Sequence, residues 1–244
     1  VQLCFIYDSS RVTAPPKNLD ELEAWVTAHP GQFTLSNDFT GLTVLKSWLM
    51  ALAGGADSLK GEFDEEKYRR YSAPLWDYIN RSKKFWWKKG ETFPNAVAPM
   101  HQLFASGELS FTMSNNDGEV DNKVLQGFFP ATSRSFVFES GTIQNSHYLG
   151  ILKNAKNIAG AMVVCNFLIS PEAQLEKMKT EVWGDGTVLD AAKLPGDWPQ
   201  EFSALSKRQY GPQRSEIQSK ALPELAPEYM IRLSDDFRKY VIEQ

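Results

Sequence analysis

The chain is poor in the residues that mark a chemical site. Only two of its 244 residues are cysteines, Cys4 and Cys165. They form no CxxC and have no histidine nearby, so neither a zinc site nor a redox dithiol is suggested. Both thiols lie among apolar neighbours and are expected to be buried and unreactive. The three histidines, His29, His101 and His147, are far apart in sequence. A Walker loop, GxGxxG, GxSxG and HExxH are all missing, and no carboxylate pair stands out from a solvated acidic face. Catalysis, a metal site and a bound cofactor therefore have no support. An excess of one charge is also lacking. The 26 basic residues face 30 acidic ones, so no global field draws in nucleic acid or an anionic membrane. No apolar run reaches the ~20 residues of a bilayer-spanning helix. The opening "VQLCFIYDSS" has no Met, no basic start and no signal-peptide core, and it reads as a strand cut from something longer.

What is present is a large apolar and aromatic complement. Apolar side chains make up 42% of the residues, with 15 Phe, 8 Tyr and 7 Trp, enough for a substantial core in one or two domains. Val1 to Tyr7 reads as a strand broken by Asp8-Ser9-Ser10. Asn18 can cap a helix bearing Leu19, Leu22, Trp25 and Val26, which His29-Pro30-Gly31 stops. A short strand is expected over Gln32 to Leu35. The loop "SNDFTG", Ser36 to Gly41, opens a helix with Leu42, Leu45, Leu49 and Leu52 on one face, ended by Gly54-Gly55. A further helix carries Tyr68, Tyr71, Leu75, Tyr78 and Ile79. It runs into "RSKKFWWKKG", Arg81 to Gly90, which reads as a helix C-terminus with packed rings more readily than as a nucleic-acid surface. Thr92 to Ser106 reads as another helix, with Asn95 as cap and Gly107 closing it. A strand, Leu109 to Met113, then feeds the loop "SNNDGE", Ser114 to Glu119, and a helix.

Strands alternating with helices predict an α/β fold with much parallel pairing. Arg134 to Leu152 suggests a last strand pair, and from Asn154 onward the chain reads as almost wholly helical. There, Ile158, Met162, Cys165 and Ile169 line up as the spine of a buried helix, and Ser170-Pro171-Glu172 starts the next.

In open α/β sheets, ligands sit where strands run out into loops and helix N-termini. Both polar loops are therefore candidate binding surfaces: for any single side chain a local capping or turn role is favoured, and for the two loops taken together a ligand is. For His29 and His101 a surface or capping role is expected. His147, in "QNSHY" between two prospective domains, fits a ligand-facing role as well as a structural one.

Three segments carry a family resemblance: "GTIQNSHYLGI", "NAKNIAGAMVVCNFLISPEAQ" and "VWGDGTVLD", all within Gly141 to Asp190. They resemble the extracytoplasmic substrate-binding proteins of bacterial ABC importers, and most closely the YnjB-type group. "FPNAVAPMHQLFASGELSFTMSNNDGE", "FIYDSS" and "HPGQFTLSNDFTG" extend the likeness from about Val1 to about Leu205. One departure is "LSND" before "FTG", where relatives often carry a proline-rich segment.

The resemblance implies a type 2 periplasmic-binding-protein-like clamshell. Residues 8–138 would form one full lobe. Residues 1–7 and 139–244 would supply hinge strands and the C-terminal helical part of the other lobe, most of which lies outside this sequence. It further implies a non-enzymatic receptor in the periplasm, or lipid-anchored outside a Gram-positive cell, that is monomeric when full length. Such a receptor captures a small polar solute and hands it to permease subunits in the membrane, with no cofactor, metal or nucleic acid involved. Carried over by position, the ligand-facing residues are Asp38, Phe39, Thr40 and Gly41 in one loop and Ser114, Asn115, Asn116 and Glu119 in the other. Asn145, Ser146, His147 and Tyr148 would line the hinge. Trp183 would add an aromatic wall, with a core role equally open. A two-lobed enzyme or sensor reusing this fold is the alternative. It requires His147, Glu119 and Asp38 to come within reach of one another or of one ligand.

Overall fold

The computed structural model describes residues 1–243. Its central strand, β1 (Cys4–Asp8), divides its side chains between two cores, as the alternation of a strand requires. Phe5 joins the larger cluster, while Cys4 and Ile6 join a smaller one with Phe104, Val120 and Phe129. From β1 the chain passes through α1 (Leu19–Ala28), α2 (Phe39–Leu52), α3 (Glu65–Ser82) and α4 (Val97–Ala105) to β2 (Phe111–Ser114). It continues through α5 (Glu119–Leu125), β3 (Ser133–Phe136) and β4 (Thr142–Ile143) to α6 (Ile158–Leu168) and α7 (Pro171–Met178). The last elements are α8 (Trp198–Leu205), α9 (Arg214–Ile217), β5 (Ala221–Leu222) and α10 (Pro227–Phe237).

The expectation of much parallel pairing does not hold. The main sheet has the order β2-β1-β3, and β1 pairs antiparallel with both neighbours. β2 and β3, joined through α5, do run in one direction as a crossover unit should. β1 is inserted between them with the opposite sense. Four helices separate β1 from β2, so that connection is not a simple strand–helix–strand step. Among the described residues only the short pair β4 and β5 is parallel.

Local signals place most helices. The Asn18 side chain accepts from Glu21 N and starts α1, and Ser170 with Pro171 at the first position starts α7. Gly107 takes a φ of +79° just beyond α4, which a side chain with Cβ would resist. Asn95 does not cap α4. Its N-cap is Ala96, with no side-chain bond of its own. Gln32 to Leu35 is no strand either. Phe33 and Leu35 are buried, but the backbone there is held by single bonds from Trp87 and Ser110. In the basic cluster Trp86 is buried, Lys83 donates to the Val241 carbonyl, and Lys88 lies over the Trp87 ring.

The C-terminal part divides. α10 enters the larger core through Tyr229, Leu233 and Phe237 and pins α3 through Tyr68–Asp236 and Arg232–Glu65 bonds. α6 does the opposite. None of its residues is buried, and Ile158, Met162 and Ile169 are all exposed, so the expected buried spine is not found among the described residues. Of that spine only Cys165 is half-covered. Residues 179–197, between α7 and α8, are mostly turns and extended chain, so the tail is less helical than expected. No single described helix is long and apolar enough to cross a membrane, although α6 and α7, bent by 58°, together carry such a composition.

Candidate functional site

The first loop is organised around one carboxylate. Asp38 Oδ1 accepts from Thr40 N and Gly41 N and so caps α2, while Oδ2 accepts from Val97 N at the start of α4. Ser36 donates to the same Oδ1. Asp38 thus holds two helix N-termini, which is why α4 needs no cap of its own. Gly41 is fixed by crowding, since a Cβ there would stand 1.7 Å from the Ser36 carbonyl oxygen. Phe39, half-exposed, points out of this turn.

In the second loop, Ser114 Oγ accepts from Asn116 N and donates to Glu119, and Asn116 Oδ1 accepts from Gly118 N. Glu119 also meets Lys123 at 3.4 Å. These bonds set the turn into α5. Asn115 is left facing the first loop and donates to Thr40 Oγ1 at 3.0 Å. That bond joins the two loops, which lie 75 residues apart in sequence.

Beyond β4 the backbone carries Asn145, Ser146 and His147 to the same place. Together with Phe39, Thr43 and Asn115 they line a cavity of about 110 Å³. A larger, more open cavity of about 360 Å³ shares Asn145 to His147 and extends past Tyr148 to Lys177 and Asp185. Behind the first cavity lies Lys46, only 2% exposed on its side chain and 2.6 Å from Glu224. Glu224 in turn accepts from Asn145 Nδ2 at 2.9 Å. A lysine on the apolar face of α2 is thus neutralised by a carboxylate that also orients a cleft amide. Sequence reasoning missed Lys46. Its signal was the helical spacing that puts it beside Leu42 and Leu49.

Trp183 stacks on His147 with ring centroids 5.2 Å apart, and His147 Nε2 lies 3.5 Å from Asp185. The loop bearing Trp183 is tied to the second polar loop, because Asn116 donates to the Trp183 carbonyl and Asn122 to that of Thr180. Asp117 completes this seam. It accepts from Gln2 N, Arg208 and Arg214. Burial alone would raise its carboxyl pKa, but the two guanidiniums outweigh that and hold it below the ordinary range.

Six of the thirteen expected residues, Phe39, Asn115, Asn145, Ser146, His147 and Tyr148, line the two joined cavities. Trp183 stacks against that lining. Asp38, Thr40, Gly41, Ser114, Asn116 and Glu119 instead bond within and between the loops that shape it. His101 is a correction. It is buried, its Nε2 is 3.1 Å from the Met113 carbonyl, and burial lowers its pKa. His29 caps α1 as expected, its Nδ1 being 3.0 Å from the Trp25 carbonyl. Cys4 is sealed by burial, which drives its thiol pKa far up. Asp38, Glu119 and His147 each bond other groups and not one another. Among the described residues no cluster of His, Cys, Asp and Glu could hold a metal ion.

The chain has the fold of periplasmic-binding-protein-like clamshells. Solved structures agree. The chain superposes on an ABC transporter protein from Clostridium perfringens with a TM-score of 0.60 at 16% identity, covering 98% of this chain and 66% of that one. For the TpPotD lipoprotein of Treponema pallidum the TM-score is 0.62 at 12% identity, covering 99% and 66%. For a periplasmic thiamin binding protein it is 0.60 at 17%, covering 98% and 64%. At such identities the likeness is one of fold. Sequence then gives the family: residues 1–204 match the bacterial extracellular solute-binding protein family, and the chain belongs to it. It is 38% identical over 196 residues to the protein YnjB of Escherichia coli, which covers 80% of this chain but 50% of that relative. The chain therefore spans about half the length of this curated relative.

Proposed function

We propose that the protein is the non-enzymatic solute receptor of an ABC importer, which captures a small polar solute between two lobes outside the cytoplasm and delivers it to a membrane permease. The observation that carries this reading is the convergence of Phe39, Asn115, Asn145, Ser146 and His147 on one cavity where two loops and the β4 exit meet. Asn115 and Asn145 offer amide donors and acceptors, Phe39 an apolar face, and His147 a ring stiffened by Trp183. No bond need be made or broken in such a site. Closure around the solute replaces its water with these groups.

The division into lobes belongs to the same reading. Residues 8–138 form one lobe, and the helical arm that follows contributes to the other, except that α10 packs back on α2 and α3. The bare apolar face of α6 supports a second lobe whose remaining elements would cover it. Thermal-shift measurements on the full-length protein against a solute library test the proposal. A solute at 100 times its Kd stabilises by about 2.7 kcal/mol, and Asn145→Ala should remove that gain. Silence across sugars, amines, amino acids, vitamins and oxyanions would contradict it.

A further inference from the structure

A third cavity, of about 330 Å³, lies between α7, α8 and the turn at 184–187. Its volume is at the lower end of the range for small-molecule sites, roughly 300–1,000 Å³. It shares Asp185, Gly186, Thr187 and Arg214 with the larger cleft cavity. None of the residues expected to face ligand lines it.

Its polar side is built from two arginines on one carboxylate. Arg208 Nη2 is 2.9 Å from Asp117, and Arg214 makes three contacts to Asp117 between 3.0 and 3.2 Å. Asp117 is 4% exposed, and the arginine side chains are 10% and 30% exposed. One carboxylate cannot neutralise two guanidiniums, so a positive charge is left over at the cavity wall. Lys207 adds another at the rim. Asp185 does not offset them, because Lys177 pairs with it at 3.1 Å.

Both guanidiniums are seated where only glycine leaves room. A Cβ on Gly118 would stand 1.9 Å from Arg208 Nη1, and one on Gly186 would stand 1.4 Å from Arg214 Nη1. Their bonds to Asp117 hold the two cations in place before any ligand arrives. Arg208 Nε and Arg214 Nη1 donate to no protein group, and neither is sealed away from open space. The opposite wall is apolar, formed by Met178, Phe202 and Leu205.

We propose that this cavity is a second ligand site, adjoining the larger cleft cavity, that takes a small organic carboxylate with an apolar body. The carboxylate meets the free donors of Arg208 and Arg214, a charge-assisted contact. The apolar body lies against Phe202 and Leu205. The proposal does not depend on the identity of the cleft solute.

Isothermal titration of the full chain at low salt with benzoate, hexanoate, acetate and inorganic phosphate tests it. Benzoate and hexanoate should bind saturably at one site, and acetate and phosphate roughly tenfold more weakly or worse, since they lack the buried apolar part. Arg214→Gln should abolish benzoate binding. Because that variant also disturbs the Asp117 seam, Ala191→Leu, which fills the cavity from another side, should abolish it independently. Phe39→Ala, in the cleft, should leave it unchanged. No saturable carboxylate binding, phosphate binding as tight as benzoate, insensitivity to Ala191→Leu, or loss with Phe39→Ala would each overturn the proposal.

Discussion

Helices α2 and α6 are written in similar residues and meet opposite fates. In α2, "FTGLTVLKSWLMAL", ten residues are buried against α3, α10 and β4. In α6, "IAGAMVVCNFL", none is. The apolar content of a helix fixes only that burial would be favourable. What covers it is decided by elements far away in sequence. α2 is covered by Tyr229, Leu233 and Phe237 from the end of the chain, whereas α6 packs against little except α7. Among the described residues the apolar face of α6 is left bare, whereas that of α2 is covered.

Substitutions that separate body, seam and arm put numbers on this difference. The largest effect is expected in the body. Trp48 on α2 is 1% exposed, and Trp48→Ala should cost about 3–5 kcal/mol in urea unfolding. A loss below about 1 kcal/mol would mean that α2 is no better packed than α6. At the seam, Asp117→Asn leaves two guanidiniums without their carboxylate and should cost about 3 kcal/mol.

The sign of the pH effect at Asp117 follows from its lowered pKa. The stabilisation is present above the unfolded carboxylate value of about 3.9 and is lost as pH falls through the lower folded value. Acid unfolding of the Asp117→Asn protein should accordingly be less steep in that window. Asp38→Ala should cost about 2 kcal/mol by uncapping α2 and α4 together, twice the loss of an ordinary cap. In the arm, Met162→Gln, at a residue 60% exposed, should stay within about 0.5 kcal/mol in this chain. If a second lobe covers α6, the same change in the longer protein should cost about 1–2 kcal/mol.

These contrasts also mark what the sequence made legible. Asn18, Asp38 and Ser170 announce their helices because a cap acts within three residues. The antiparallel sense of β1 was not legible, since it depends on partners more than a hundred residues away in sequence. The same distance explains the site. Asn145 to His147 became candidates through the family resemblance, whereas the two polar loops could be read as candidate binding surfaces from their place between strands and helices. The second duty of Asp38, bonding Val97 across 59 residues, could not. Nor could Lys46–Glu224, Asp117–Arg208 or Asp117–Arg214, separated by 178, 91 and 97 residues. The helical spacing marks Lys46 and the polar loop marks Asp117, but their partners lie too far along the chain to be read, and only folding brings them together. Asp38, Ser114 and Asn116 bond the turns around them, because short polar side chains satisfy nearby backbone groups before anything else.

The central claim is that the cleft between Phe39, Asn115 and His147 holds the solute. Native mass spectrometry of the full-length protein, purified gently from its source, tests it most directly alongside an Asn115→Ala, Asn145→Ala double variant. The account predicts a bound small molecule on the wild type and its absence from the variant. A solute carried equally by both would contradict it.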